Sequence, residues 1–159
     1  MAEGQINLQE WNSFCIFVFK CHFLRGYAEE VIKTPRYMKE VSNKKLIETI
    51  IEGIQNRKGQ RIVSIDLRKI KEAPVDYMII AEGTSNIQVG AIADEVDDHV
   101  RTTTHVHPLA VAGRENAEWV ALDYGSIFVH IMQREPRAYY DIEHLWADGK
   151  ITEIEDLNS

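Results

Sequence analysis

The stretch from Trp119 to Trp146 constrains this chain more than any other. Val120 and Leu122 alternate with Trp119, Ala121 and Asp123, and Ile127, Val129 and Ile131 alternate with Phe128, His130 and Met132. Successive side chains of a strand point to opposite faces, so period-two alternation on both sides of Asp123-Tyr124-Gly125-Ser126 predicts a hairpin. With Tyr124-Gly125 as a two-residue loop, Leu122 faces Ile127, Val120 faces Val129 and Trp119 faces His130. One face is then aliphatic and fit for a core. The other carries Trp119, Asp123, Phe128 and His130, a mixed surface better suited to a partner than to water. Pro136 next suits the first turn of a helix, where no backbone N–H is missed. Tyr139, Ile142, Glu143 and Trp146 follow at i, i+3, i+4 and i+7 and share one helical face, with Ala138 and Leu145 flanking it toward the core. Asp148-Gly149 ends the helix, and the acidic tail from Glu153 is expected to fray.

Upstream, Leu46, Ile47, Ile50, Ile51 and Ile54 form one apolar stripe. They predict a helix over 43–58, opened by Ser42 or Asn43 as cap and closed by Arg57-Lys58-Gly59. Residues 62–67 and 77–81 read as strands. Ser85 and Gln88 have the spacing of a capping box, and Ile92, Val96 and Val100 line the buried side of the helix that it opens. Asp94, Glu95, Asp97 and Asp98 lie mostly outside, and the β-branched run Thr102 to Thr104 disfavours continuing that helix. A strand over 106–112, interrupted by Pro108, belongs at an edge or a strand start. The order α-β-β-α-β-β-β-α predicts an α/β (mixed α+β) domain: a mixed β-sheet with helices packed on it, with a right-handed crossover between 77–81 and 106–112 if those strands are parallel.

At 159 residues one domain can bury an adequate core without staples. Cys15 and Cys21 have no metal-ligand spacing and are too few for a disulfide framework. Residues 1–41 read as an N-terminal extension, disordered or the product of a start placed upstream of Met38. Its apolar run Phe14 to Phe19 is too short to span a bilayer, and acidic Glu3 and Glu10 precede it where a signal peptide carries basic residues. Residues 42–148 are the main domain and 149–159 an acidic tail. Charge divides unevenly: residues 61–159 hold nine Lys and Arg against eighteen Asp and Glu, a net of −9 in a chain of net −7. Such a surface repels nucleic acid and attracts basic proteins.

Several of these stretches together resemble the Iojap-type ribosomal silencing factor family. They are the run Trp119 to Gly125, Val129-His130, and Arg137-Ala-Tyr-Tyr-Asp-Ile-Glu-His-Leu-Trp146, with Asp76-Tyr77-Met-Ile-Ile-Ala and Gly83-Thr84-Ser85 upstream. The resemblance covers roughly residues 42 to 148. Two positions depart from it: Ala112 precedes Gly113 where the family tends to carry Glu, and Glu82 stands where a small residue is usual. The resemblance implies a nucleotidyltransferase-like fold and a translational repressor. Such a protein binds the large ribosomal subunit through its protein fourteen and sterically blocks joining of the small subunit, in the cytoplasm and with no cofactor.

Two chemical alternatives compete with that reading. In a metal-dependent nucleotidyltransferase-type enzyme, Gly83-Thr84-Ser85 would hold phosphate at a helix N-terminus and carboxylates would hold Mg²⁺. Glu95 and Asp97, however, lie on a helix, where positions two apart diverge by about 200°. His105 and His107 could share a strand face and bind metal with His130 or His144, but no third ligand is set by spacing. Gly-x-Ser-x-Gly and P-loop patterns are absent. What remains is an acidic, aromatic surface of the composition found at protein-binding hot spots. From the resemblance and the face argument, its expected residues are Trp119, Asp123, Tyr124, His130, Tyr139, Tyr140, Glu143 and Trp146, with Asp76 as a lesser addition. No catalytic or metal-ligating residue is expected, and homodimerisation stays open.

Overall fold

The computed structural model describes residues 41–157; the expectations for the N-terminal extension and its apolar run lie outside them. The elements are α1 (Asn43–Asn56), β1 (Gln60–Asp66), β2 (Tyr77–Gly83), α2 (Asn86–Thr104), β3 (Ala110–Ala112), β4 (Trp119–Asp123), β5 (Ile127–Gln133), α3 (Arg134–Tyr140), α4 (Ile142–Leu145) and β6 (Lys150–Ile154). The six strands form one mixed sheet in the order β3-β4-β5-β2-β1-β6. β2 and β5 pair in parallel and every other pair is antiparallel. The pairings make β3 run in the direction of β2, with β5 and β4 inserted between them. The α2 crossover therefore carries the chain to the sheet's edge, where the Pro108 segment was expected.

α1 starts where Ser42 accepts a hydrogen bond from Lys45 N (3.3 Å). It buries Leu46, Ile50 and Ile54, and α2 buries Val89, Ile92, Ala93, Val96 and Val100. These two stripes meet Ile79, Ala81, Val120, Leu122, Ile127, Val129 and Ile131 on one face of the sheet, the aliphatic face read from the hairpin alternation. Three segments depart from expectation. α2 runs through all three threonines, and within it the hydroxyls of Thr102 and Thr104 are satisfied by donating to the carbonyls of Asp98 (2.8 Å) and Val100 (2.7 Å) one turn back. It stops at His105, whose φ is 59°. The strand expected over 106–112 shrinks to Ala110–Ala112, since Pro108 has no N–H for a ladder. A sixth strand that was not expected, β6, pairs along β1 from Ile62–Ile154 to Asp66–Lys150 and takes in Glu153 and Ile154, the first two residues of the tail expected to fray.

The hairpin forms, with its turn one residue later than expected. Asp123 Oδ1 accepts from Gly125 N (2.7 Å) and Tyr124 N donates to Ile127 O (2.9 Å), so the loop is Gly125-Ser126. Gly125 has φ +84°, which the first position of such a loop requires and a residue with a Cβ resists. Each partner accordingly moves by two: Leu122 faces Val129, Val120 faces Ile131 and Trp119 faces Met132. A shift of two preserves the faces. The second face is not a free surface, however. Phe128, Asp123 and His130 on it are all buried, and α3 packs against β5 and β2.

Candidate partner-binding site

Trp119 and His130 lie diagonally across the β4–β5 pair, with Ala121 opposite His130. Trp119 Nε1 donates to His130 Nδ1 at 3.1 Å, so the imidazole carries its proton on Nε2 and is neutral. Burial disfavours the charged ring and pushes its pKa down to about 4. Tyr140 meets the Trp119 ring at a tilt of 44°, 5.0 Å between centroids, and Tyr139 meets Tyr140 edge-on at 5.1 Å. Phe128 meets His130 edge-on at 6.3 Å. A continuous series of rings thus runs from buried His130 (1 % exposed) to Tyr139, which is 61 % exposed. Edge-on rings such as the Phe128–His130 and Tyr139–Tyr140 pairs add to the stabilisation from area alone.

The remaining expected residues do not join this series. Asp123 is buried at the turn and holds Gly125 in place. Tyr124 is buried in the opposite core, against the helices; desolvation and the nearby Asp97 push its phenol pKa up, and its hydroxyl has no partner among the described residues. The helix expected to align Tyr139, Ile142, Glu143 and Trp146 is broken. Asp141 adopts φ 42° and ψ 54° between α3 and α4, so the i, i+3, i+4, i+7 argument fails beyond Tyr140. Ile142 is buried, while Ala138 and Leu145, expected toward the core, are exposed. Glu143 is not a free rim charge, because Arg137 holds it. Trp146 is half-buried with an unpartnered Nε1 among the described residues, and its carbonyl accepts from Gly149 N, which lies against Ile65 and Leu67. Asp76 is exposed just before β2, at the opposite end of that strand from Gly83.

Sequence reasoning missed Arg137 and Glu82. Arg137 is 5 % exposed and donates to Glu143 Oε1 from both Nε (2.8 Å) and Nη2 (2.6 Å). Its Nη1 is 3.9 Å from Glu82 Oε2, and Glu82 accepts from Arg61 at 3.1 Å. Arg61 reaches it from the irregular start of β1, where the register shifts and its φ is 49°. The spacing of Arg137 and Glu143 is six, which no regular helix brings together. Only the break at Asp141 does so, and the sequence signals neither.

The chemical alternatives meet specific obstacles. Ser85 Oγ accepts from Gln88 N (3.2 Å), as half of a capping box. The Gln88 side chain does not reach back to Ser85, however; its oxygen accepts from Thr84 N (2.7 Å) and Thr84 Oγ1 (2.8 Å), and its Nε2 donates to the carbonyls of Arg57 and Lys58. Three of the amides around this helix start, those of Thr84, Ile87 and Gln88, thus already have side-chain acceptors. Glu95 accepts from Asn56 and Arg57, and Asp97 pairs with Arg114, so both carboxylates join elements together. No cross-strand register among the described residues sets one carboxylate against another. His105 and His107 lie exposed in the segment before β3, not on a strand. Among the described residues no three His, Cys, Asp or Glu side chains come together as ligands, and no helix is long and apolar enough to cross a membrane.

Comparison with known proteins bears on the whole described region. The family model described as "Ribosomal silencing factor during starvation" matches residues 40–159. A ribosomal silencing factor of Halalkalibacterium halodurans is 31 % identical over 119 residues, which is 75 % of this chain and 100 % of that protein. A mouse protein named "Mitochondrial assembly of ribosomal large subunit protein 1" is 28 % identical over 75 residues, 45 % of this chain and 32 % of that one. The crystal structure of a Chromobacterium violaceum protein superimposes with a TM-score of 0.64 at 32 % identity, covering 74 % of this chain and 98 % of that chain.

Proposed function

The chain belongs to the ribosomal silencing factor family, and on that premise we propose that it is a translational repressor that binds the large ribosomal subunit and keeps the small subunit from joining. The contact is with protein fourteen of the large subunit, on its subunit-joining face, and the block is steric. A repressor of this kind needs no cofactor and acts in the cytoplasm, where subunits join. The nucleotidyltransferase-like description of the fold belongs to the same proposal.

The observation that carries the reading is the ring series that emerges at Tyr139. Its inner members are fixed by the sheet and by the Trp119–His130 hydrogen bond, so the outer rings are held before any partner arrives. Pre-set aromatic side chains make strong anchors, because little rotamer freedom is lost on binding. The net −9 of residues 61–159 suits a basic ribosomal protein and disfavours bare RNA. The mouse relative's name points to the large subunit. Of the proposed residues, Tyr139, Tyr140 and the accessible part of Trp119 make the contact, with Trp146 on the next turn of chain; Glu143, held by Arg137, faces inward and makes none. His130, Asp123 and Tyr124 act from beneath, by holding the hairpin that presents the rings.

Sedimentation with separated ribosomal subunits tests this. Co-migration with large subunits alone is the expected result, lost when a large subunit stripped of protein fourteen is used. Co-migration with neither subunit, or equally with both, overturns it.

A further inference from the structure

No continuous helix holds α3 and α4 at their angle. They have seven and four residues, too short to keep their geometry by backbone bonds alone, and the left-handed Asp141 interrupts them. One buried cation spans that interruption. The Arg137 guanidinium, on α3, grips Glu143 at the start of α4 with two donors on a single oxygen. Its third nitrogen faces Glu82 on β2 at 3.9 Å, with no hydrogen-bond acceptor among the described residues. Glu82 is in turn held by Arg61 from β1. Three elements, α3, α4 and the middle of the sheet, therefore converge on one side chain. Tyr140, three residues along α3, is the ring that packs at a tilt against Trp119.

We infer that Arg137 is the positioning residue of the docking face: by gripping Glu143 across the break while facing Glu82, it sets the orientation of α3 and so aims Tyr139 and Tyr140 at the ribosomal partner. This rests on the proposed function, which makes those rings the contact. A lysine cannot replace it, because an ammonium is a point charge without the planar fork that fixes direction. Removing the cation would take the buried neighbour at 3.9 Å from Glu82, leaving it to the exposed Arg61 that holds it at 3.1 Å, and would release Glu143. Arg137 itself, 5 % exposed, touches no partner; its effect passes through the tyrosines.

The experiment compares the full chain with its Arg137→Lys and Glu143→Gln variants in three readouts. These are the near-UV circular dichroism of the coupled Trp and Tyr rings, the thermal melt, and binding to large ribosomal subunits. Glu143→Gln keeps an oxygen acceptor for the fork, so near-UV signal is retained and affinity stays within about threefold of the parent. Arg137→Lys keeps its far-UV spectrum and a cooperative melt, loses near-UV signal, and binds roughly tenfold or more weakly. Should Arg137→Lys fail to fold, Glu143→Ala removes the same grip at a half-buried position and shows the same loss. The inference is overturned if the grip can be removed with near-UV signal or affinity unchanged, or if Glu143→Gln does as much harm as Arg137→Lys. A parent chain that does not bind large subunits refutes the proposed function instead, while the near-UV comparison still decides whether Arg137 orients the rings.

Discussion

Lowering the pH should destabilise this fold through His130, and the effect can be isolated. His130 is buried and accepts from Trp119 Nε1 at 3.1 Å, a bond available only while Nδ1 is unprotonated. Its pKa falls from the ordinary 6.5 to about 4, because burial penalises the imidazolium. Above about pH 6.5 neither the folded nor the unfolded chain protonates this ring, and it adds no pH dependence. Between 6.5 and 4 the unfolded chain takes up a proton that the folded chain refuses, so stability falls as pH falls. The slope approaches about 1.4 kcal/mol per pH unit, and the loss by pH 4 totals about 3 kcal/mol. His130→Asn places an amide oxygen near the Nδ1 position, retaining an acceptor for Trp119 without a titrating group. Urea unfolding followed by Trp fluorescence from pH 7.5 to 4 should show the parent losing about 3 kcal/mol more than His130→Asn. Every other titratable group is common to the two proteins and cancels in the difference. Parallel stability curves would refute the reasoning, since they would mean that His130 is charged or solvated in the folded protein.

Three further outcomes follow from the geometry. Tyr139→Ala, at a ring that is 61 % exposed, should weaken binding to large subunits by about 2 kcal/mol with the melting temperature unchanged; a lower melting temperature with unchanged affinity would place the contact elsewhere. Gly53→Ala should destabilise despite its better helix propensity, because the added Cβ would lie 3.0 Å from the Val96 backbone. A net loss of about 1–2 kcal/mol by chemical denaturation is expected, and a gain would contradict the close α1–α2 packing. Ser85→Ala should cost about 1 kcal/mol of stability through the lost cap and leave ribosome binding intact; pyrophosphate release from a nucleotide that disappears in this variant would instead revive the enzyme reading.

The sequence by itself determined whatever depends on local periodicity. The alternation about Gly125 was enough to assign two strands and sort their residues between two faces, and the i, i+4 stripes of α1 and α2 marked which helix sides are buried. These signals survive because each is carried by neighbours in the chain. The hairpin's turn was misplaced by one residue, yet the faces held, because a register change of two leaves every side chain on its own side. Tertiary structure decided what depends on partners distant in sequence. Lys150–Ile154 is a strand only because β1 offers it an edge, about ninety residues upstream in the chain. The face carrying Trp119 and His130 looks like a free surface in the hairpin alone and becomes an interior once α3 lies across β5 and β2. Six positions separate Arg137 from Glu143, so no regular period joins them; a single left-handed residue brings them together, in a conformation that Asp141 tolerates.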